Sequence, residues 1–163
     1  ANAVSDLVKQ GHDINFFCLT GANGQEELIE HSNRIGLRNR ALITGPVPHN
    51  EVKQYYDLID IFVVSRPDYP VTRTVTPLKP FEAMARARPV VVTNLPALNE
   101  IITNLETGII TEDNELLSLV KSIEILISDQ ELRTKLGKQA KSWVINERSW
   151  NNLVQRYSTV YAE

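Results

Sequence analysis

IFVVSRPDYPVTRTVTPLKPFEAMARARPVVVT, residues 61–93, sets the fold class. Ile61–Ser65 is a short continuous apolar run of the kind a strand buried on both faces needs. Pro77–Arg88 reads as a helix with proline in its first turn, where the missing N–H is least costly. Val90–Thr93 is apolar and β-branched again, so the stretch reads strand, loop, helix, strand.

The same alternation continues in both directions. Upstream, Ile14–Thr20 reads as a strand, Gln25–Ile35 as a helix ending near Gly36, Ala41–Thr44 as a strand and Glu51–Ile59 as a helix capped from His49-Asn50. Downstream come a short helix at Ala97–Thr103, a strand at Gly108–Thr111, and helices at Glu115–Ile127, Gln130–Asn146 and Trp150–Tyr161. Strands alternating with helices imply right-handed βαβ units. The expectation is an α/β, Rossmann-like three-layer domain, with a mostly parallel sheet and a helical C-terminal tail. It spans residues 1–163 as one unit.

Composition narrows the function. The chain is 42% apolar and 23% charged with a formal charge of -3, so it carries no basic field for nucleic acid or anionic lipid. One cysteine, Cys18, in an apolar run, excludes a disulfide framework and reads as a buried structural thiol, in keeping with a reducing cytosol. No apolar stretch reaches the roughly twenty residues that cross a bilayer.

In open α/β sheets ligands sit beyond the carboxyl ends of the strands. That directs attention to loops 20–25, 45–50, 65–77 and 94–97. The loop from Arg66 to Thr76 is longer than the two to six residues usual in a βα connection. It enters its helix through Thr76-Pro77-Leu78-Lys79-Pro80. First-turn amides and the helix dipole favour an anion there. Pro77 and Pro80 each lack an N–H, which leaves chiefly the amides of Leu78 and Lys79. Glu82, one turn in, has two readings: it complements the dipole, or it accepts the paired hydroxyls of a ribose.

Ordered motifs carry a family resemblance. FEAMARARPVVVTNLPALNEII (81–102) followed by ETGIIT (106–111) resembles the glycosyltransferase group 1 signature, family 4, of GT-B fold. ITGPVPHNEVKQYYDLIDIFVVSR (43–66) resembles the family's Gly-x-Val turn and Tyr-Tyr helix. RSWNNLVQRYSTVYAE (148–163) resembles its closing Ser-Trp helix. The match runs from about Asn15 to the last residue.

The resemblance implies the donor-binding C-terminal lobe of a two-lobed, retaining, hexosyltransferase-like glycosyltransferase, using a UDP- or GDP-sugar and no metal or other cofactor. It implies a cytoplasmic enzyme whose membrane contact runs only through the N-terminal, acceptor-binding lobe, and a lobe inactive by itself. Carried over, Glu82 holds the ribose and the amides of Leu78 and Lys79 meet the diphosphate or sugar. Gly45 and Val47 line the base, and Ser65, Arg66, Thr76 and Pro77 line the donor loop. No catalytic residue is assigned. The family's arginine and lysine that stabilise the leaving group precede the matched region, and Lys9 does not match them.

Departures stand beside the match. The family's first glutamate lies eight residues before the second, and here that position is Thr74; nine before is Arg73. Asp68 is the only acid in the loop and reaches inward if the loop folds back, while Arg66 and Arg73 read as phosphate ligands or as solvated charges. The family's glycines before this helix are replaced by Thr76 and Pro77.

Other motifs weigh less. Gly21-x-x-Gly24 lacks the third glycine of a dinucleotide fingerprint, and Glu26 and Glu27 would repel phosphate at that helix start. His12, His31 and His49 show no metal-ligand spacing. Trp143, Trp150, Tyr157 and Tyr161, near helical spacing, read as packing that docks the tail. Two alternatives to the transferase remain: a nucleotide-sugar epimerase lobe on the same fold, and a non-catalytic nucleotide-binding module.

Overall fold

A computed structural model describes residues 1–158, with side chains to Val154. Helix α1 (Asn2–Lys9) precedes β1 (Phe16–Leu19), α2 (Ala22–Arg34), β2 (Ala41–Thr44), α3 (Val52–Asp57) and β3 (Phe62–Val64). Then follow α4 (Pro70–Thr74), α5 (Lys79–Ala85), β4 (Val90–Val92), α6 (Pro96–Asn99), β5 (Ile109–Ile110), α7 (Leu116–Ser128), α8 (Gln130–Arg148) and α9 (Trp150–Ser158). No helix among the described residues is long and apolar enough to cross a membrane.

Every pairing is parallel, as the βαβ reading requires, and the strands form two pieces. β1 pairs β2 with Phe16 opposite Ala41, while β4 lies between β3 and β5. β1 and β3 do not pair with each other. Helix α3 spans the interval: Tyr55 stacks on Phe17 of β1 at 5.8 Å, and Tyr56 packs on Phe62 of β3 at 5.5 Å.

Alternation along β4 builds the layers. Val90 and Val92 face one cluster, with Tyr56 of α3, Ala83 and Met84 of α5, Leu98 of α6, and Ala140 and Val144 of α8. Val91 faces the other way, onto Ile109, Leu126 of α7 and Leu136 of α8. Each of these fully buried valines contributes roughly 1.5–3 kcal/mol of burial free energy. On that second face α1 packs on α7 through Ala3, Leu7, Val120 and Ile123.

Several expectations need correction. β3 is not buried on both faces: Val63 is 38% exposed, because β3 ends its sheet. α5 begins at Lys79, so Pro77 lies outside it and Pro80 is the first-turn proline. The long loop contains the short helix α4. His49 and Asn50 do not cap α3, whose N-cap is Glu51 without a side-chain bond. In the tail, Trp143 stacks on Phe81 at 6.4 Å with the Arg148 guanidinium over its ring, but Trp150 is 82% exposed and packs no tail. Tyr161 and the side chain of Tyr157 lie outside the described residues.

Candidate functional site

The loop after β3 closes on itself. The N–H of Arg66 donates to Thr93 Oγ1 at 3.1 Å, tying the loop's start to the end of β4. Arg66 Nη1 then donates to the carbonyl of Val75 at 2.7 Å, spanning the loop. Inside it, Thr72 Oγ1 donates to the carbonyl of Pro67 at 2.6 Å and accepts from the N–H of Tyr69 at 2.9 Å. Arg73 grips Asp68 through Nε and through Nη2 at 2.7 Å. That guanidinium holds the Asp68 carboxyl below the usual carboxylate range. The loop does fold back, but it turns its only acid onto Arg73. Thr74 Oγ1 donates to carbonyls of its own helix, Pro70 at 3.2 Å and Val71 at 3.4 Å. Both arginines are therefore loop braces, and Ser65 is an exposed residue at the loop's start.

The mouth of α5 is open. Thr76 and Pro77 are half-buried beneath it, while the N-cap residue Leu78 is 73% exposed. The amides of Phe81 and Glu82 donate to the Leu78 carbonyl at 3.0 and 3.4 Å. Those of Leu78 and Lys79 donate to nothing among the described residues. Two outward amides beside the Lys79 side chain form a local positive field that suits a phosphate.

Glu82 is exposed in the first turn of α5, and its Oε2 accepts the hydroxyl of Tyr56 at 2.7 Å. Burial first, and then the Glu82 carboxylate, push the Tyr56 hydroxyl above the usual tyrosine range, so it stays protonated and donates. Sequence reading singled out the Tyr-Tyr helix but not this bond. Its partners lie 26 residues apart and no local spacing predicts it.

The turn after β2 carries the residues read as lining the base. Gly45 and Val47 are half-buried, and the N–H and C=O of Val47 have no partner among the described residues. A β-carbon on residue 45 would lie 2.7 Å from Gln25 Oε1, so the end of the Gln25 side chain rests on this turn. Helix α3, which begins at Val52, carries Tyr56 to Glu82 and so ties α3 to α5. Burial raises the Cys18 thiol pKa, which the Ala1 ammonium and then Lys79 oppose.

Two of the three histidines serve other contacts. His12 Nε2 bonds Glu124 at 3.1 Å and His31 Nε2 bonds Asn2 at 2.7 Å.

The sequence pattern of the family "glycosyl transferases group 1" matches residues 1–143. The chain belongs to that family. Among curated relatives, this group 1 chain is 26% identical over 161 residues to the capsular polysaccharide biosynthesis glycosyltransferase CapM of Staphylococcus aureus. The alignment covers 96% of the chain and 41% of CapM, so the chain spans about two fifths of that relative's length. Its fold is that of GT-B glycosyltransferase domains, as expected. The C-terminal domain of the group 1 protein LpcC from Francisella tularensis superposes with a TM-score of 0.76 at 23% identity, over 91% of this chain and 77% of that one. Anabaena HepE, solved in complex with UDP, superposes with a TM-score of 0.81 at 18% identity, over 98% and 44%.

Proposed function

We propose that the chain is the donor-binding lobe of a retaining, family 4 glycosyltransferase that moves a sugar from a nucleoside diphosphate to an acceptor held by another lobe. The observation that carries this reading is the pairing of an exposed Glu82 carboxylate with the free amides of Leu78 and Lys79 on one helix turn. The carboxylate accepts the two ribose hydroxyls, the amides meet the diphosphate, and the free backbone groups of Val47 meet the base edge.

In the transfer, the anomeric C–O bond to the diphosphate breaks, the acceptor hydroxyl oxygen bonds to the same carbon with retention, its proton passes to the departing diphosphate oxygen, and the nucleoside diphosphate leaves. What this lobe supplies is stabilisation of the charge that grows on the leaving diphosphate, through fixed amides and the Lys79 ammonium. The reading calls for no metal. Acceptor binding, and the basic residues the family adds at the diphosphate, belong to chain outside residues 1–163. One observation supports such a fragment: the chain spans 41% of CapM. A protein using nucleotide sugars and keeping an unpaired Cys18 suits the cytoplasm, with membrane contact through the other lobe. By itself the lobe binds nucleotide weakly and transfers nothing.

Calorimetric titration of the full-length protein with UDP, GDP and ADP, and with their sugars, tests the reading. One nucleotide binds, and Glu82→Ala weakens it at least about tenfold, the loss of charge-assisted bonds to a ribose. Equal affinity in the variant rejects the ribose role. Mass analysis of the product separates transfer from epimerisation, and binding without turnover marks a non-catalytic module.

A further inference from the structure

We infer that Tyr56 is a positioning residue for the donor: its hydroxyl fixes the Glu82 carboxylate in the orientation that receives the ribose. The inference rests on the donor-lobe reading and adds a residue that neither the sequence motifs nor the family match assigns.

Three observations carry it. First, the donor is rigid. Tyr56 is 8% exposed, and its ring is held between Phe62 of β3 and the cluster of Ala83, Met84, Val90 and Val92. Second, the acceptor would otherwise be free. Glu82 is exposed, no lysine or arginine pairs with it among the described residues, and a glutamate side chain samples several rotamers in water. The bond from Tyr56 at 2.7 Å is the only hydrogen bond to that carboxylate among the described residues. Third, the bond leaves the right capacity unused. A carboxylate offers about four acceptor sites; Tyr56 occupies one on Oε2, and two ribose hydroxyls need two more. The tyrosine therefore holds the group without blocking it, and ordering of the side chain precedes nucleotide binding instead of accompanying it.

The geometry also separates this role from simple packing. Tyr56→Phe keeps the ring against Phe62 and Met84 and removes only the oxygen, so the fold tolerates the change and the carboxylate loses its anchor.

The test uses the full-length protein. UDP, GDP and ADP are titrated by calorimetry, and the tightest is compared with its own 2′,3′-dideoxy analogue, in wild type, Tyr56→Phe, Glu82→Gln and the double variant. Tyr56→Phe weakens the natural nucleotide about tenfold, leaves the dideoxy analogue unchanged, and adds little in the Glu82→Gln background. Unchanged or tighter binding by Tyr56→Phe, while Glu82→Gln still weakens it, overturns the positioning role and leaves the donor reading standing. Equal weakening of the natural and dideoxy nucleotides assigns Tyr56 to packing and also overturns it. If neither Glu82→Gln nor removal of the ribose hydroxyls changes affinity, both the donor reading and this inference fall.

Discussion

A β-carbon on residue 137 would sit 2.1 Å from the carbonyl oxygen of Ala87. Helix α8 thus rides directly on the turn that joins α5 to β4, and that turn sets the height at which α5 presents Leu78, Lys79 and Glu82. Gly137→Ala must push the two apart. Overpacking of this kind costs about 1–3 kcal/mol. In thermal unfolding of the chain the midpoint falls by about 2–4 °C for each kcal/mol lost.

The same turn stores strain. Ala87 adopts a φ of 56°, a region that an L side chain enters at a cost. Ala87→Gly relieves it and raises stability by about 0.5–1 kcal/mol, after the extra freedom of the unfolded chain is deducted. A lower denaturant midpoint in that variant would show the turn to be unstrained.

Tyr56 gives the chain an alkaline signature. Its pKa in the folded state is raised above the ordinary 10.0, so its contribution to stability is full below pH 10 and declines as pH rises past it, where only the unfolded chain ionises. Between about pH 10 and 11.5 wild-type stability falls more steeply than that of Tyr56→Phe. Denaturant titrations across that window measure the difference in slope; parallel curves would contradict it.

The two tryptophans separate packing from exposure. Trp143→Ala removes a ring stacked on Phe81 and costs about 2–3 kcal/mol, half the burial value of a full aromatic side chain. Trp150→Ala changes stability by less than about 0.5 kcal/mol, as expected for an exposed residue. The chain has two tryptophans, so urea unfolding followed by circular dichroism reads both variants without losing its probe.

Much of this was legible in local pattern. Ala41–Thr44 falls where the apolar run and the following Gly45-Pro46 put it, and α8 begins at Gln130 after the Asp129 cap, which bonds the Leu132 amide at 2.8 Å. Failures came where tertiary position decides. Val63 reads like Val91, and only strand order separates an end strand from a central one. Helix α4 is five residues rich in β-branched side chains, so propensity argues against it; Pro70 at its start and the Thr72 hydroxyl bonds hold it. Within the candidate site, the free amides of Leu78 and Lys79 and the exposure of Glu82 were readable, because proline placement and helix spacing are local. Tyr56 was not, since its reach to Glu82 depends on how α3 docks against α5.

The central claim is tested most directly by amide spectra of the isotopically labelled full-length protein during titration with UDP, GDP and ADP. For the nucleotide that binds, the cross-peaks of Leu78, Lys79 and Val47 shift together along one saturation curve, and exchange of the Leu78 and Lys79 amides slows. A nucleotide that saturates the protein while those three peaks stay fixed would contradict the account.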